Sequence, residues 1–108
     1  MVTSGLFTAA HHRLPLLIVM CDNRSYYNDE EHQERMAVAR KRPVENKGIG
    51  IRIEDPAPDF ARIAQGFGIY AEGPIEEAGA LQPALKRALK IVKEERLPAL
   101  LDVLIQPR

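Results

Sequence analysis

In LPLLIVMCDNRS, residues 14–25, an apolar run from Leu14 to Cys21 breaks off into Asp22-Asn23-Arg24-Ser25. The run shows no alternation. That pattern fits a strand buried on both faces, of the kind found in parallel sheets. It is far too short to cross a bilayer. The polar cluster has turn chemistry, because Asp and Asn side chains bond readily to the backbone two residues on.

Upstream, TSGLFTAAHH (residues 3–12) places Leu6, Ala9 and Ala10 at i, i+3 and i+4, the stripe of a short amphipathic helix. Thr3 or Ser4 can cap it, and Pro15 cannot continue it. Downstream, residues 28–41 are strongly polar. Asn28 or Asp29 is the expected N-cap, acidic residues 29–31 suit a helix start and basic residues 40–42 its end. The apolar face is thin (Met36, Ala37, Val38, Ala39), which predicts an exposed or partner-covered helix. Residues 43–57 read as a loop, with a short edge strand at the alternating Ile49, Ile51 and Ile53. A helix over 59–67 follows from Phe60, Ile63, Ala64 and Phe67, closed by Gly66 and Gly68. Residues 69–72 form a short strand. A longer helix, from Glu76 or Ala80 to Glu95, carries the stripe Leu81, Leu85, Ala88, Leu89 and Val92. A second strongly apolar strand runs from Pro98 to Ile105.

Strands alternating with helices point to an α/β layer fold with a parallel sheet. Such a sheet normally has more strands than two strong and one or two weak ones, and a strand is expected ahead of the first helix. The chain has 108 residues, enough for one domain with a real core. Fifteen Lys and Arg balance fifteen Asp and Glu. That balance gives no electrostatic reason to seek nucleic acid or an anionic membrane. The single cysteine cannot form an internal disulfide, and no Cys/His spacing suggests zinc. MVTSGLFTAAHHR lacks the order of a secretory leader, so the cytoplasm is the expected compartment.

In open α/β sheets, ligands gather at the carboxyl ends of the strands. There the chain presents Asp22, Asn23 and Ser25, then Tyr26, Tyr27 and Asn28 at a helix start. Asp and Asn oxygens with a backbone carbonyl are hard ligands of the kind Mg²⁺ prefers. The amides of a helix N-terminus favour phosphate. An Asx-rich turn after a strand is also common without any ligand, so on residues alone both readings stand. His11 and His12 read as solvated helix-end residues, and His32 as a solvated histidine. Cys21 reads as a buried, inert thiol, and Gly48-Ile49-Gly50 is too short for a phosphate loop.

SGLFTAAHHRLPLLIVMCDNRSYYND, residues 4–29, resembles the second half of the cofactor signature of thiamine-diphosphate-dependent enzymes. That signature opens with Gly-Asp-Gly and closes with Asn-Asn or a variant, here Asp22-Asn23. The likeness is nearest to the benzoylformate decarboxylase and acetolactate synthase group. PDFARIAQGFG (58–68) is similar to the family's following helix, and LPALLDVLIQP (97–107) to its last strand, so nearly the whole chain is covered. The resemblance implies a partial three-layer thiamine-diphosphate-binding fold without its first strands. It implies that residues 1–108 are the C-terminal portion of that domain. It implies that the Asn23 side-chain oxygen and the Ser25 carbonyl bind Mg²⁺, and that backbone amides near Tyr26 and Tyr27 hold the diphosphate. Asp22 stands where the first asparagine would, leaving the metal ligand intact. Asn28, Asp29 and His32 fall on the substrate side, with no firm role.

The implied substrate is a 2-keto acid or similar acyl donor. The Gly-Asp-Gly half, with its aspartate ligand, and the pyrimidine-binding domain that supplies the activating glutamate are expected before Met1 or on a partner subunit. The isolated chain is therefore expected to be non-catalytic and to act in a homo-oligomer or with the missing domains. Two rivals remain: a non-enzymatic accessory module associating with a full-length subunit, and a plain α/β domain binding another phosphorylated ligand at the same turn.

Overall fold

The computed structural model describes residues 3–106. Met1 and Pro107, at the two ends of the stretches read above, lie outside them. The architecture is built on one strand, β3 (Ala99–Leu104), which lies between β1 (Leu17–Asp22) and β2 (Tyr70–Ile75) in a three-stranded sheet. Both pairings are parallel, with Leu17 opposite Ala99 on one side and Tyr70 opposite Ala99 on the other. The α/β reading with a parallel sheet therefore holds.

Side chains alternate along β3 and send successive residues to different helices. Leu100 joins a core made with Leu6 and Ala9 of α1 (Thr3–His11), Ala61 and Ala64 of α3 (Phe60–Gly66), Ile69 and Ala71. Ala99 and Leu101 join a second core with Ile75 and with Ala84 and Ala88 of α4 (Ala78–Lys90). Helices thus cover both faces of the sheet, giving three layers. The first half of β3 is deeply buried, with Ala99, Leu100 and Leu101 all at 0% exposure.

The two apolar strands exchange roles relative to the hydropathy reading. β1 was expected to be covered on both faces. Instead β1 is an edge strand among the described residues, its Leu17 and Ile18 packed half-buried against the two cores, and β3 is the strand buried throughout its first half. Val19 is 45% exposed and Cys21 is exposed, so Cys21 is not a buried thiol. Around α4 the buried line is centred on Ala84 and Ala88, flanked by Leu81, Leu85 and Val92. Leu89, expected on the apolar stripe, is 37% exposed. Alanines at i and i+4 let the helix come close to the sheet. After Lys90 the helix widens into a π-helical turn, Ile91–Glu95, ended by Arg96 in the left-handed region (φ 56°).

β2 runs three residues further than the apolar pattern indicated. A bulge between Glu72 and Ile75 holds Gly73 and Pro74. Gly73 (φ 144°) is required there. A Cβ on it would lie 2.6 Å from the Cβ and the carbonyl oxygen of Asp102.

The chain divides into two compact units. One is the layered sheet unit just described, made of residues up to Asp22 together with Asp59–Leu104. The other is formed chiefly by Asn23–Pro58. The second unit holds α2 (Tyr27–Ala39), whose single buried residue is Glu30. The expected exposed helix is thus observed, starting at Tyr27 with Tyr26 at the cap position in place of Asn28 or Asp29. The expected edge strand over Ile49–Ile53 reduces to one antiparallel bridge, Ser25 opposite Arg52. Buried Ile51 anchors that segment.

Candidate functional site

Asn23 directly follows the last residue of β1. The turn it opens is defined by three hydrogen bonds and one unusual backbone conformation. Ser25 N–H donates to Asn23 Oδ1 at 3.1 Å, the Asx turn that the residue types predicted. Arg24 between them takes the left-handed conformation (φ 52°), uncommon for a non-glycine residue and a mark of local constraint. Tyr26 N–H donates to Ile51 O at 3.0 Å, and Ile53 N–H donates to Arg24 O at 2.8 Å. These two bonds flank the Ser25–Arg52 bridge. Ser25 therefore occupies the non-hydrogen-bonded position of the pair, and the ladder does not consume its carbonyl. The Ser25 hydroxyl oxygen is buried without a hydrogen-bond partner among the described residues.

α2 begins at once after this turn. Asp29 and Glu30 N–H both donate to Tyr26 O, at 2.9 and 3.2 Å. No side chain caps the helix. Tyr27 and Asn28, the first two residues of the helix, have no acceptor four residues back within it, so their amides open outward. Thirteen residues of helix stand behind them. The turn and the helix start together bring an amide oxygen, a carbonyl oxygen and two open amides onto six consecutive residues, Asn23 to Asn28.

Asn23, Ser25, Tyr26 and Tyr27 thus fall on one turn, but not all in the expected way. Tyr26 was expected to offer its amide to a phosphate, and that amide is already bonded to Ile51. Geometrically the pair of open amides is Tyr27 and Asn28. Asp22 is buried, at 6% exposure. His32 is exposed on α2. His11 is exposed on α1, stacked on Phe7 at 5.5 Å, with His12 edge-on to it at 4.9 Å. None of the histidines belongs to the turn.

Two residues not singled out in the sequence shape it. Glu30, in the first turn of α2, is buried at 8% exposure. Its carboxylate lies 3.8 Å from the guanidinium of Arg52. The alternation Ile51-Arg52-Ile53 carried the only sequence signal: it sets Arg52 on the side opposite the buried isoleucine.

A separate polar cluster lies in the sheet unit. Tyr70 Oη donates to Glu72 at 2.6 Å, and Arg87 donates to both Glu72 oxygens at 2.8–3.2 Å. The Arg87 guanidinium holds the Glu72 carboxyl below the usual carboxylate range. Burial, reinforced by Glu72, pushes the Tyr70 phenol up. This cluster borders an open cleft of about 400 Å³ lined also by Glu76 and Glu77.

Fold and site together describe an α/β layer domain with an oxygen-rich turn at the end of a parallel strand. The family model for the C-terminal thiamine-pyrophosphate-binding domain of thiamine pyrophosphate enzymes matches residues 1–103, and the chain belongs to that family. No curated protein and no solved structure matches the chain. Membership assigns thiamine diphosphate as the cofactor.

The turn fits a diphosphate that carries a hard cation. Mg²⁺ takes oxygen ligands and keeps several waters, and Asn23 Oδ1 and the Ser25 carbonyl are two such oxygens on one turn. The bond from Ser25 N–H uses only one lone pair of Asn23 Oδ1 and fixes its direction. No group of three or more His, Cys, Asp or Glu side chains converges among the described residues. The oxygens that the described residues would offer a cation at this turn are therefore an amide and a carbonyl oxygen. No helix among the described residues is long and apolar enough to cross a membrane.

Proposed function

We propose that the Asn23–Tyr27 turn anchors the diphosphate of thiamine diphosphate through Mg²⁺, in an enzyme acting on 2-keto acids or similar acyl donors. Asn23 Oδ1 and the Ser25 carbonyl are the oxygens that this turn gives to the metal. The amides of Tyr27 and Asn28 hold phosphate oxygens, helped by the positive end of α2. Tyr26 serves by its bond to Ile51, which fixes the angle at which the helix leaves the turn. When bound, thiamine diphosphate supplies an electron sink for cleavage of the bond beside a substrate carbonyl. The observation that carries this reading is the fixed Asn23 oxygen beside an unconsumed Ser25 carbonyl and an uncapped helix start.

These 108 residues contain no Gly-Asp-Gly sequence. They are proposed to be the C-terminal portion of the cofactor domain, to bind without turnover alone, and to work with the residues that supply the remaining metal ligand and the activating carboxylate. The exposed β1 edge is consistent with such association.

Calorimetric titration of the full chain with thiamine diphosphate, with Mg²⁺ and with EDTA, tests the site. Binding is expected only with Mg²⁺, and Asn23→Ala should weaken it by at least about tenfold through loss of a metal ligand. Equal affinity in the variant overturns the assignment. Equal or tighter binding of ATP or a flavin nucleotide favours the plain phosphate-binding rival.

A further inference from the structure

The buried charge at the start of α2 has no part in the reading above. Glu30 is 8% exposed and pairs with the Arg52 guanidinium at 3.8 Å, with Lys47 a further positive charge in its field. Arg52 sits opposite Ser25 in an antiparallel, non-hydrogen-bonded pair, where facing side chains come closest. Its neighbours on either side make the two bonds that clamp the turn: Ile51 O accepts from Tyr26 N–H, and Ile53 N–H donates to Arg24 O. The backbone also folds back locally, with Ile51 and Arg52 N–H donating to Gly48 O at 3.3 and 3.4 Å. A Cβ on Gly48 would come within 3.0 Å of Arg52 Nε, so the absence of a side chain there clears the path of the arginine. Residues 48–53 thus carry one backbone clamp on the turn and one charge tie to the helix that follows it.

We infer that the Arg52–Glu30 pair is a positioning device for the cofactor turn. Arg52 ties the clamp segment to the first turn of α2 and so holds Asn23–Tyr26 in the geometry that presents the Asn23 oxygen and the Ser25 carbonyl. It also cancels a buried carboxylate that would otherwise repel a diphosphate at the same helix start. Arg52 is a positioning residue, and its effect on the cofactor rests on the anchoring role proposed for the turn.

The test separates the two ideas. Amide hydrogen exchange of the cofactor-free chain reads the clamp without any ligand, and calorimetry with Mg²⁺ and thiamine diphosphate reads its consequence. In Arg52→Ala, the Tyr26 and Ile53 amides are expected to exchange about three- to tenfold faster, while Leu100 and Leu101 amides in β3 stay as protected as in the wild type. Cofactor affinity should fall by a similar factor, and Arg52→Lys should restore most of both. If β3 protection collapses as well, Glu30→Gln, which removes the ion pair but keeps the arginine stem, becomes the deciding variant: the same two amides should loosen. Unchanged Tyr26 and Ile53 exchange in a folded variant overturns the positioning role. Faster exchange in Arg52→Ala, together with a wild-type chain that binds no thiamine diphosphate, leaves the clamp standing and removes the cofactor reading.

Discussion

The two units of this chain are held by different forces. In the sheet unit, stability comes from apolar contact: β3 at 0% exposure over three residues and two cores of Leu, Ile and Ala on either face. In the unit formed chiefly by residues 23–58, α2 buries one residue, and that residue is a glutamate. Its order comes from an Asx turn, two backbone bonds to the 51–53 segment, the buried side chain of Ile51 in that segment and the Arg52–Glu30 ion pair. The scaffold is specified by burial and the cofactor turn by hydrogen bonding. Apolar contact is non-directional and tolerant of position, whereas hydrogen bonds fix the direction of an oxygen. The role proposed for the turn, aiming two oxygens, is better served by hydrogen bonds.

The largest effect that sharpens this contrast is expected at Leu100. Leu100→Ala removes a fully buried side chain from the core shared by α1, α3 and the sheet. A loss of about 2–5 kcal/mol is expected from transfer and cavity terms together. Urea unfolding of the variant measures it. A loss of less than about 1 kcal/mol would mean that the core is loose enough to collapse around the gap, and the contrast between the units would fail.

The same division decides what the sequence disclosed. The sheet unit was legible because its signals are hydropathic: the stripe Phe60, Ile63, Ala64 marked α3, and the run from Pro98 marked β3. Hydropathy did not tell β1 from β3, since a six-residue apolar strand reads alike at a sheet edge and at its centre, and strand order is a long-range property. The Asx turn at Asn23 was legible because it is a local habit of that residue type. The loss of the Tyr26 amide to Ile51 was not, because it depends on contact between residues 25 positions apart. Glu30 illustrates the same limit. A glutamate in a first helical turn reads as a solvated dipole partner, and only the fold buries it against Arg52.

A smaller effect, visible only in acid, belongs to the Tyr70–Glu72–Arg87 cluster of the sheet unit. Arg87 lowers the Glu72 pKa from its ordinary value near 4.5. The unfolded chain therefore takes up the proton first as pH falls. The stabilisation is fully present above the unfolded value and is lost as pH falls from there through the folded pKa. Glu72→Gln should flatten this part of the urea midpoint–pH profile and leave the midpoint at pH 7 lowered only slightly, since the Arg87 side chain is 55% exposed and screened. An unchanged acid slope in the variant would move the pH sensitivity of the sheet unit to other carboxylates.

The smallest effect is expected at Lys47, and it bears on why Arg52 rather than charge in general holds the turn. Lys47 Nζ donates to Glu34 at 2.6 Å, closer than Arg52 approaches Glu30. Distance alone would rank it as the stronger tie. Burial of the carboxylate ranks it lower: the Glu34 side chain is 43% exposed and that of Glu30 11%, while both cations reach solvent, Lys47 at 34% and Arg52 at 58%. Water and salt screen the exposed pair, while the buried carboxylate has lost its hydration and depends on its partner. The raised Lys47 pKa, caused first by the bond to Glu34, places its linked stabilisation below the ordinary lysine value, to be lost only as pH rises through the folded pKa. At neutral pH it brings no pH dependence. Lys47→Ala should therefore leave the urea midpoint unmoved and keep Tyr26 and Ile53 exchange and cofactor affinity within about twofold of the wild type. Loosening as large as in Arg52→Ala would show that the summed charge of residues 47–52 holds the turn, and that the burial of Glu30 is incidental to it.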